Sequence, residues 1–253
     1  MKRAENDRTT SLSFAASGEG PPVLLLHGMS GSRHWWSRNV PALAERFRTY
    51  CIDLPGFGGS RGVPWERIDH TVTLLMEWME NEGLANGHVI GHSLGGAVAA
   101  RLAALHPDRV DRLILVDAAI RLPRTRLTIR GASIHYTFRR RPEGLAQLVA
   151  RDLFRSHPRS FFVSGIDLLG AKWEKELSAI PHPALIVWGE HDLITPVSLG
   201  ARLATLLPDA HLAVIPEAGH SPMWEQAERF NRVALDFLAG SEREMDSRRS
   251  NMG

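Results

Sequence analysis

The sequence holds little of what marks a secreted, membrane-spanning or metal-built protein. One cysteine, Cys51, occurs in 253 residues, so no internal disulfide framework can form. It sits in Tyr50-Cys51-Ile52, a run that reads as a buried strand, where a small core residue is the better reading. No apolar run approaches the roughly eighteen residues of a transmembrane helix. The first residues, Met1 to Ser13, are polar and lack the apolar stretch of a signal peptide. A cytoplasmic protein with no integral membrane part is expected. The histidines and the cysteine lack the spacing of a zinc site, and no Gly-x-x-x-x-Gly-Lys loop is present. Neither a metal nor a cofactor is expected. Lysine is scarce too: arginine supplies nearly all of the 30 basic residues, so a basic stretch can reflect composition alone.

What is present suits one large α/β domain or two small ones, with 43% hydrophobic and 23% charged residues. The chain shows neither internal repeats nor a low-complexity linker. Short apolar strands alternate with amphipathic helices, the pattern of a mostly parallel central sheet with flanking helices. Strands are expected at 9–15, 23–26, 48–54, 88–90, 110–116, 184–188 and 211–215. Helices are expected at 36–46, 69–82, 94–105, 145–153, 164–177, 198–207 and 227–238. Val23-Leu24-Leu25-Leu26 is apolar on both faces, as a buried parallel strand should be. Residues 241–253 read as a charged, disordered tail.

Between residues 120 and 180 the strands stop. The gap is too long for a plain connection and suggests a lid over the carboxyl ends of the strands, where ligands bind in open α/β sheets. It carries twelve Lys/Arg against five Asp/Glu, a net +7, while the rest of the chain is −5. Such a lid would attract an anionic substrate, an acidic carrier protein or a membrane surface. The Arg139-Arg140-Arg141 run has no interleaved aromatic platform, so no nucleic-acid partner is expected. A solvated arginine-rich face is the simplest reading of the excess.

Residues 91–95 read Gly-His-Ser-Leu-Gly, directly after the apolar run His88-Val89-Ile90 and before the small-residue helix from Gly96. Gly-x-Ser-x-Gly in a strand–turn–helix setting places a serine on a sharp turn with its hydroxyl exposed. The flanking glycines suit a crowded, strained turn. A serine hydroxyl needs a base to take its proton, usually histidine, and the histidine needs a carboxylate to orient it. Asp192 follows the strand Leu185-Ile186-Val187-Trp188, and His220 follows Leu212-Ala213-Val214-Ile215. Both fall at carboxyl ends, on the same edge of the sheet as Ser93. An oxyanion forming there can bind the backbone N–H of Leu94, at a helix N-terminus.

These features resemble the α/β-hydrolase family over roughly residues 20–119 and 180–240. The resemblance rests on His27-Gly28-Met29, Asp53-Leu54-Pro55-Gly56-Phe57-Gly58-Gly59-Ser60, Gly91 to Gly96, Gly189-Glu190-His191-Asp192 and Gly219-His220. It implies a serine esterase or lipase-like enzyme with Ser93 as nucleophile, His220 as base and Asp192 as acid. It also implies the N–H of Met29 as second oxyanion donor. The expected architecture is a hydrolase core of residues 1–119 and 181–240, with a small helical cap, 120–180, inserted after the sixth strand.

Other residues carry blander readings. Asp117 also ends a strand; a structural hydrogen-bonding role is its default, and catalytic acid, which some members of this fold carry there, the alternative. His27, Gly28, Trp35, Trp36, His92, Met223 and Trp224 are candidates for lining the acyl pocket. Packing or loop hydrogen bonding is a better reading than proton transfer for His27 and His92. Half-buried packing is an equal reading for Trp35 and Trp36, and Met223-Trp224 are read as packing the base. The expected reaction is hydrolysis of a carboxylic ester of small to medium acyl chain, with a small-molecule acyl substrate, anionic if the basic cap contributes. Hydrolysis of a carbon–carbon bond in a vinylogous diketone, of a lactone or of a thioester are alternatives on the same residues. Acyl transfer is a further one. A binding module that kept the pocket and lost turnover is the alternative outside enzymes.

Overall fold

A computed structural model describes residues 12–120, 144–170 and 173–250 of the chain. Seven strands form one sheet: β1 (Phe14–Ser17), β2 (Pro22–Leu26), β3 (Arg48–Ile52), β4 (Gly87–His92), β5 (Val110–Val116), β6 (Ala184–Gly189) and β7 (Ala210–Ile215). Their order is β1-β3-β2-β4-β5-β6-β7. β1 runs antiparallel to β3, and all other neighbours are parallel. The helices are α1 (Val40–Leu43), α2 (Ile68–Asn81), α3 (Leu94–Leu105), α4 (Leu145–Arg155), α5 (Pro158–Gly170), α6 (Glu174–Leu177), α7 (Val197–Leu206), α8 (Pro222–Glu225) and α9 (Ala227–Ser250).

The runs of the central strands β2 to β6 are buried because both faces of the sheet are covered there, whereas Leu212 and Val214 of the edge strand β7 are exposed. Leu24, Leu26, Leu113 and Leu115 point into a core shared with α2 and α3. Their neighbours Val23, Leu25, Ile114 and Val116 point the other way, into a core with Leu43 of α1 and Phe230, Ala234 and Leu238 of α9. Cys51 lies in this second core, where burial pushes its thiol up to about 12 and leaves it an inert apolar group. From β3 the chain crosses back over β2 to enter β4, so the connections diverge between β2 and β4. A crevice opens at the carboxyl ends of strands at such a switch point.

Several expectations shift by a residue or two, and four shift by more. The helix expected over 36–46 shrinks to α1, preceded by a 3₁₀ turn at Arg33–Trp36. Pro41 has no N–H and cannot continue a helix begun before it. The helix expected over 164–177 is two: α5 starts at Pro158, a residue suited to a first turn, and ends at Gly170. The insertion expected after the sixth strand leaves the sheet after β5, the fifth among the described residues. α9 runs to Ser250, through most of the segment expected to be a disordered tail. Part of the first expected strand, Thr9–Ser11, lies outside the described residues, as does 121–143 with the Arg139–Arg141 run.

Acidic side chains and backbone contacts tie the inserted helices to the loops around the crevice. Asp152 of α4 accepts from Ser32 Oγ at 2.6 Å and from Trp35 Nε1 at 3.0 Å. Asp167 of α5 accepts the Ile68 N–H at 2.6 Å, at the positive N-terminus of α2. Ser160 Oγ accepts the Trp65 N–H, and the His157 N–H donates to Gly56 O.

His88 is buried in β4 with its ring edge-on to Phe47. Burial, helped by the Arg112 charge, pushes its pKa from 6.5 down to about 4. The native state therefore keeps His88 neutral while the unfolded chain takes a proton below pH 6.5, and stability falls as pH falls from 6.5 to 4. In His88→Leu, the slope of unfolding free energy against pH in that window should flatten by about 1 kcal/mol per pH unit. Urea unfolding across the pH series measures it; an unchanged slope would mean that native His88 protonates freely.

Candidate active site

Four chain segments meet at the carboxyl edge of the sheet because glycines let backbone lie on backbone. A Cβ on Gly91 would come within 2.6 Å of the Gly95 carbonyl carbon and 2.8 Å of Ala99 Cβ, so the start of α3 sits hard against β4. One on Gly95 would lie 2.7 Å from the Leu26 carbonyl carbon, so α3 also presses on the end of β2. Ser93 at the turn between them has φ +51°, a strained value for a residue with a side chain. Three backbone bonds over-determine it: Ser93 N–H to Val116 O, and Ala97 and Ala119 N–H to Ser93 O.

Ser93 Oγ lies 3.0 Å from His220 Nε2, and His220 Nδ1 lies 2.7 Å from Asp192 Oδ2. The Asp192 carboxylate accepts the Nδ1–H, which leaves Nε2 as an acceptor for the serine hydroxyl. Asp192 is buried and has four donors. Its Oδ1 takes the N–H groups of Ile194 and Thr195, at 2.7 and 3.0 Å. Its Oδ2 takes His220 and the Thr195 hydroxyl. Burial alone would raise its pKa, but the His220 charge and the hydrogen bonds from His220 and Thr195 outweigh it and hold it at about 2. Asp192 is thus ionised at any working pH.

The His220 backbone is clamped from three sides. Glu225 of α8 accepts the N–H groups of both flanking residues, Gly219 at 2.9 Å and Ser221 at 3.0 Å. His92 Nε2–H donates to the His220 carbonyl at 2.7 Å. The absence of a side chain on Gly189 lets Gly219 cross directly above the end of β6. Glu225 and Thr195 escaped sequence reasoning. The available signals were a glutamate one turn after Ser221, close to a capping-box spacing, and a Thr three residues after the acid, within reach of its own loop.

The segment after β2 passes against the serine: a Cβ on Gly28 would lie 3.2 Å from Ser93 Cβ. Met29 follows, while Leu94 is the first residue of α3, where first-turn N–H groups have no acceptor within the helix. His27 is a brace for this loop. Its Nε2 accepts the Leu54 N–H at 3.0 Å and its Nδ1–H donates to Gly28 O at 2.7 Å. Burial pushes its pKa down, so it stays neutral.

The remaining pocket candidates are packed. Trp36 and Met223 are fully buried, in one apolar cluster with Phe230. Arg38 covers the Trp224 ring at 4.6 Å. Trp35 stacks at 5.6 Å on His92, whose ring in turn lies 5.0 Å from His220. Burial first, and the His220 charge second, push His92 down to about 3. These rings shape the site from behind. Asp117, Asp192 and His220 bring ligand-type atoms within 4.8 Å of one another, close enough to share a cation. The four donors on Asp192 and the commitment of both His220 nitrogens account for that cluster by hydrogen bonding instead.

A doubly wound sheet with a serine on a strained strand–helix turn, facing a histidine and a carboxylate from later strand ends, defines an α/β hydrolase. The chain belongs to the alpha/beta hydrolase fold family, whose family model matches residues 21–165. It is similar to 2-hydroxy-6-oxo-6-phenylhexa-2,4-dienoate hydrolase of Burkholderia cepacia, 29% identical over 88% of this chain and 89% of that one. It is similar also to the pimeloyl-(acyl-carrier protein) methyl ester esterase of Chromobacterium violaceum, 32% identical over 87% and 95%. The enol-lactonase of Burkholderia xenovorans LB400 superposes with a TM-score of 0.78 at 25% identity, over 90% of this chain and 96% of that one. With such relatives the chain is a hydrolase. Among the described residues no helix is long and apolar enough to cross a membrane.

The backbone contact at Gly189 generates a paired test. Gly189→Ala should cost about 1–3 kcal/mol or more by forcing Gly219 and His220 outward, a fall in Tm of roughly 3–10 °C. At Gly62 nothing lies within 4 Å of an added Cβ. Gly62→Ala should therefore leave Tm unchanged or slightly raised. Thermal unfolding of both variants measures the difference; equal Tm values would remove the close-approach argument.

Proposed function

We propose that the chain hydrolyses a carboxylic ester of small to medium acyl chain through an acyl-enzyme on Ser93. The observation that carries the reading is the continuous relay from Ser93 Oγ to His220 Nε2, at 3.0 Å, and from His220 Nδ1 to Asp192, at 2.7 Å. As Oγ attacks the carbonyl carbon, its proton passes to Nε2. The resulting imidazolium is stabilised by the ionised Asp192. The tetrahedral oxyanion takes the N–H groups of Leu94 and Met29, and each such donor is worth about 3–4 kcal/mol in the transition state. Collapse expels the alcohol with the proton from Nε2. Water, deprotonated by His220, then attacks the acyl carbon and releases the acid and free Ser93.

An ester asks for nothing beyond these groups, and the esterase from Chromobacterium violaceum supports that choice. Carbon–carbon hydrolysis of a vinylogous diketone is the second reading, supported by the Burkholderia cepacia relative. The same nucleophile and base serve it, but its substrate also requires cations for its carboxylate. Arg33 and Arg151, at the edge of the site, are paired with Asp53 and Asp152. Much of the basic character of the 120–180 cap lies at 121–143, outside the described residues, and would supply the attraction for an anionic substrate. Lactone and thioester cleavage follow the same path with a different leaving group.

Intact-mass spectrometry after fluorophosphonate treatment should show one adduct on wild type and none on Ser93→Ala. A nitrophenyl ester series should then turn over far faster than a ring-cleavage diketone, with an optimum at short to medium chains. The reverse preference would replace the ester reading by the carbon–carbon one. A folded wild type that forms no adduct and turns over neither substrate would leave a ligand-binding module.

A further inference from the structure

We propose that Asp117 is a neutral carboxylic acid whose Oδ2–H donates a hydrogen bond to Asp192, so that the acid end of the relay carries a single negative charge. The inference rests on the reading of Ser93, His220 and Asp192 as that relay, and it makes Asp117 a positioning residue.

Asp117 follows β5, has φ +41° and is fully buried. One of its carboxyl oxygens lies within 4.8 Å of an Asp192 oxygen and of a His220 ring nitrogen. Two ionised carboxylates this close in a dry interior repel strongly, and the pair holds one proton instead. Hydrogen bonding decides which partner has it. Asp192 has four donors, from Ile194 N, Thr195 N, Thr195 Oγ1 and His220 Nδ1. Asp117 has one, the Gly189 N–H at 3.0 Å on Oδ1, and its Oδ2 is a buried atom with no partner. Four donors stabilise charge on Asp192; the orphaned oxygen is where a proton adds without displacing a bond. The charges around Asp117 act in the same direction: burial, Asp192 from the loop after β6 and Glu225 of α8 all push its pKa up, against the Gly189 N–H alone. His220 is the basic group within reach, and it is committed to Asp192 and Ser93.

The consequence falls on His220. The imidazole takes its proton from Ser93 during attack, and a second ionised carboxylate beside it would favour the imidazolium before attack and weaken that base. The strained backbone at Asp117 is tolerated because Asp and Asn are the side chains that best accept positive φ.

Asp117→Asn tests the charge directly. The amide keeps an N–H donor toward Asp192 and an oxygen for Gly189, suits the φ and is uncharged. If Asp117 is neutral, the acid limb of the pH profile for kcat/KM, or for fluorophosphonate labelling, should stay within about 0.3 pH units of wild type, with rates within about threefold. If Asp117 is ionised, Asn removes a negative charge from beside His220, and that limb should fall by about one unit or more; this result overturns the proposal. Asp117→Gly accepts the φ and lacks the donor, so its rate should drop roughly tenfold, and an unchanged rate would also overturn the positioning role. Carboxyl 13C resonances of the wild type give a reading that needs no turnover. The Asp117 signal should stay at its protonated position from pH 5 to 8, and an ionised signal would sink the proposal. A wild type that resists fluorophosphonate would defeat the relay reading, while the carboxyl resonance would still decide the state of Asp117.

Discussion

Backbone lies against backbone at two places on the carboxyl edge of the sheet, and the rest of the site follows from them. Gly91 faces Gly95 where β4 turns into α3, and Gly189 faces Gly219 where the loop after β7 crosses β6. The first contact brings α3 down onto the end of β2, so that the segment from Gly28 to Met29 runs beside Ser93. The second brings His220 over β6 to meet Asp192. A methyl group at Gly91, Gly95 or Gly189 would run into backbone and push a loop outward, whereas one at Gly219 would meet only the Glu225 carboxylate. Strain at Ser93, with φ +51°, is the local cost of pointing its hydroxyl off the end of the sheet. Three backbone hydrogen bonds hold it there.

Around that edge the electrostatics are arranged by burial rather than by surface charge. His27 and His92 are buried and neutral, and each spends its ring N–H on a carbonyl of a functional loop. Glu225 and Asp192 are acceptors for backbone N–H groups, which fixes their loops as well as their charge. Asp167 does the same for α5, and Asp152 anchors α4 through the Ser32 hydroxyl and the Trp35 ring N–H. Acidic side chains thus serve as anchors for N–H groups across the site, in a chain whose formal charge is only +2. Pairing a carboxylate with backbone donors costs less than pairing it with an arginine, because no long side chain must be ordered.

Much of this was legible beforehand. The short apolar runs located every described strand but β1 to within two residues, since central parallel strands covered on both sides leave no other use for them. The Gly-x-Ser-x-Gly turn, Asp192 and His220 were each identified by residue type at a strand end, and the structure brings all three into one hydrogen-bonded chain. For the pocket candidates the sequence left packing open beside lining. Trp36, Met223 and His27 stand close to the motifs in sequence, yet nearness along the chain does not say which way a side chain points, and these point into cores and loops. The helix over 36–46 failed at Pro41, and α9 outran its expected end because a charged, polar segment can still hydrogen-bond as a helix.

The positions of the strands along the chain, the residue types at their ends and the turn that carries Ser93 were determined by the sequence itself, because hydrophobic period and glycine placement are local. Only the tertiary structure decided that Glu225 clamps His220, that Thr195 and Asp117 surround Asp192, and that Asp152 reaches Ser32 and Trp35. Those partners lie up to 120 residues apart in the chain. Their meeting depends on which strands adjoin and which loops cross, and no local pattern of residues encodes that distance.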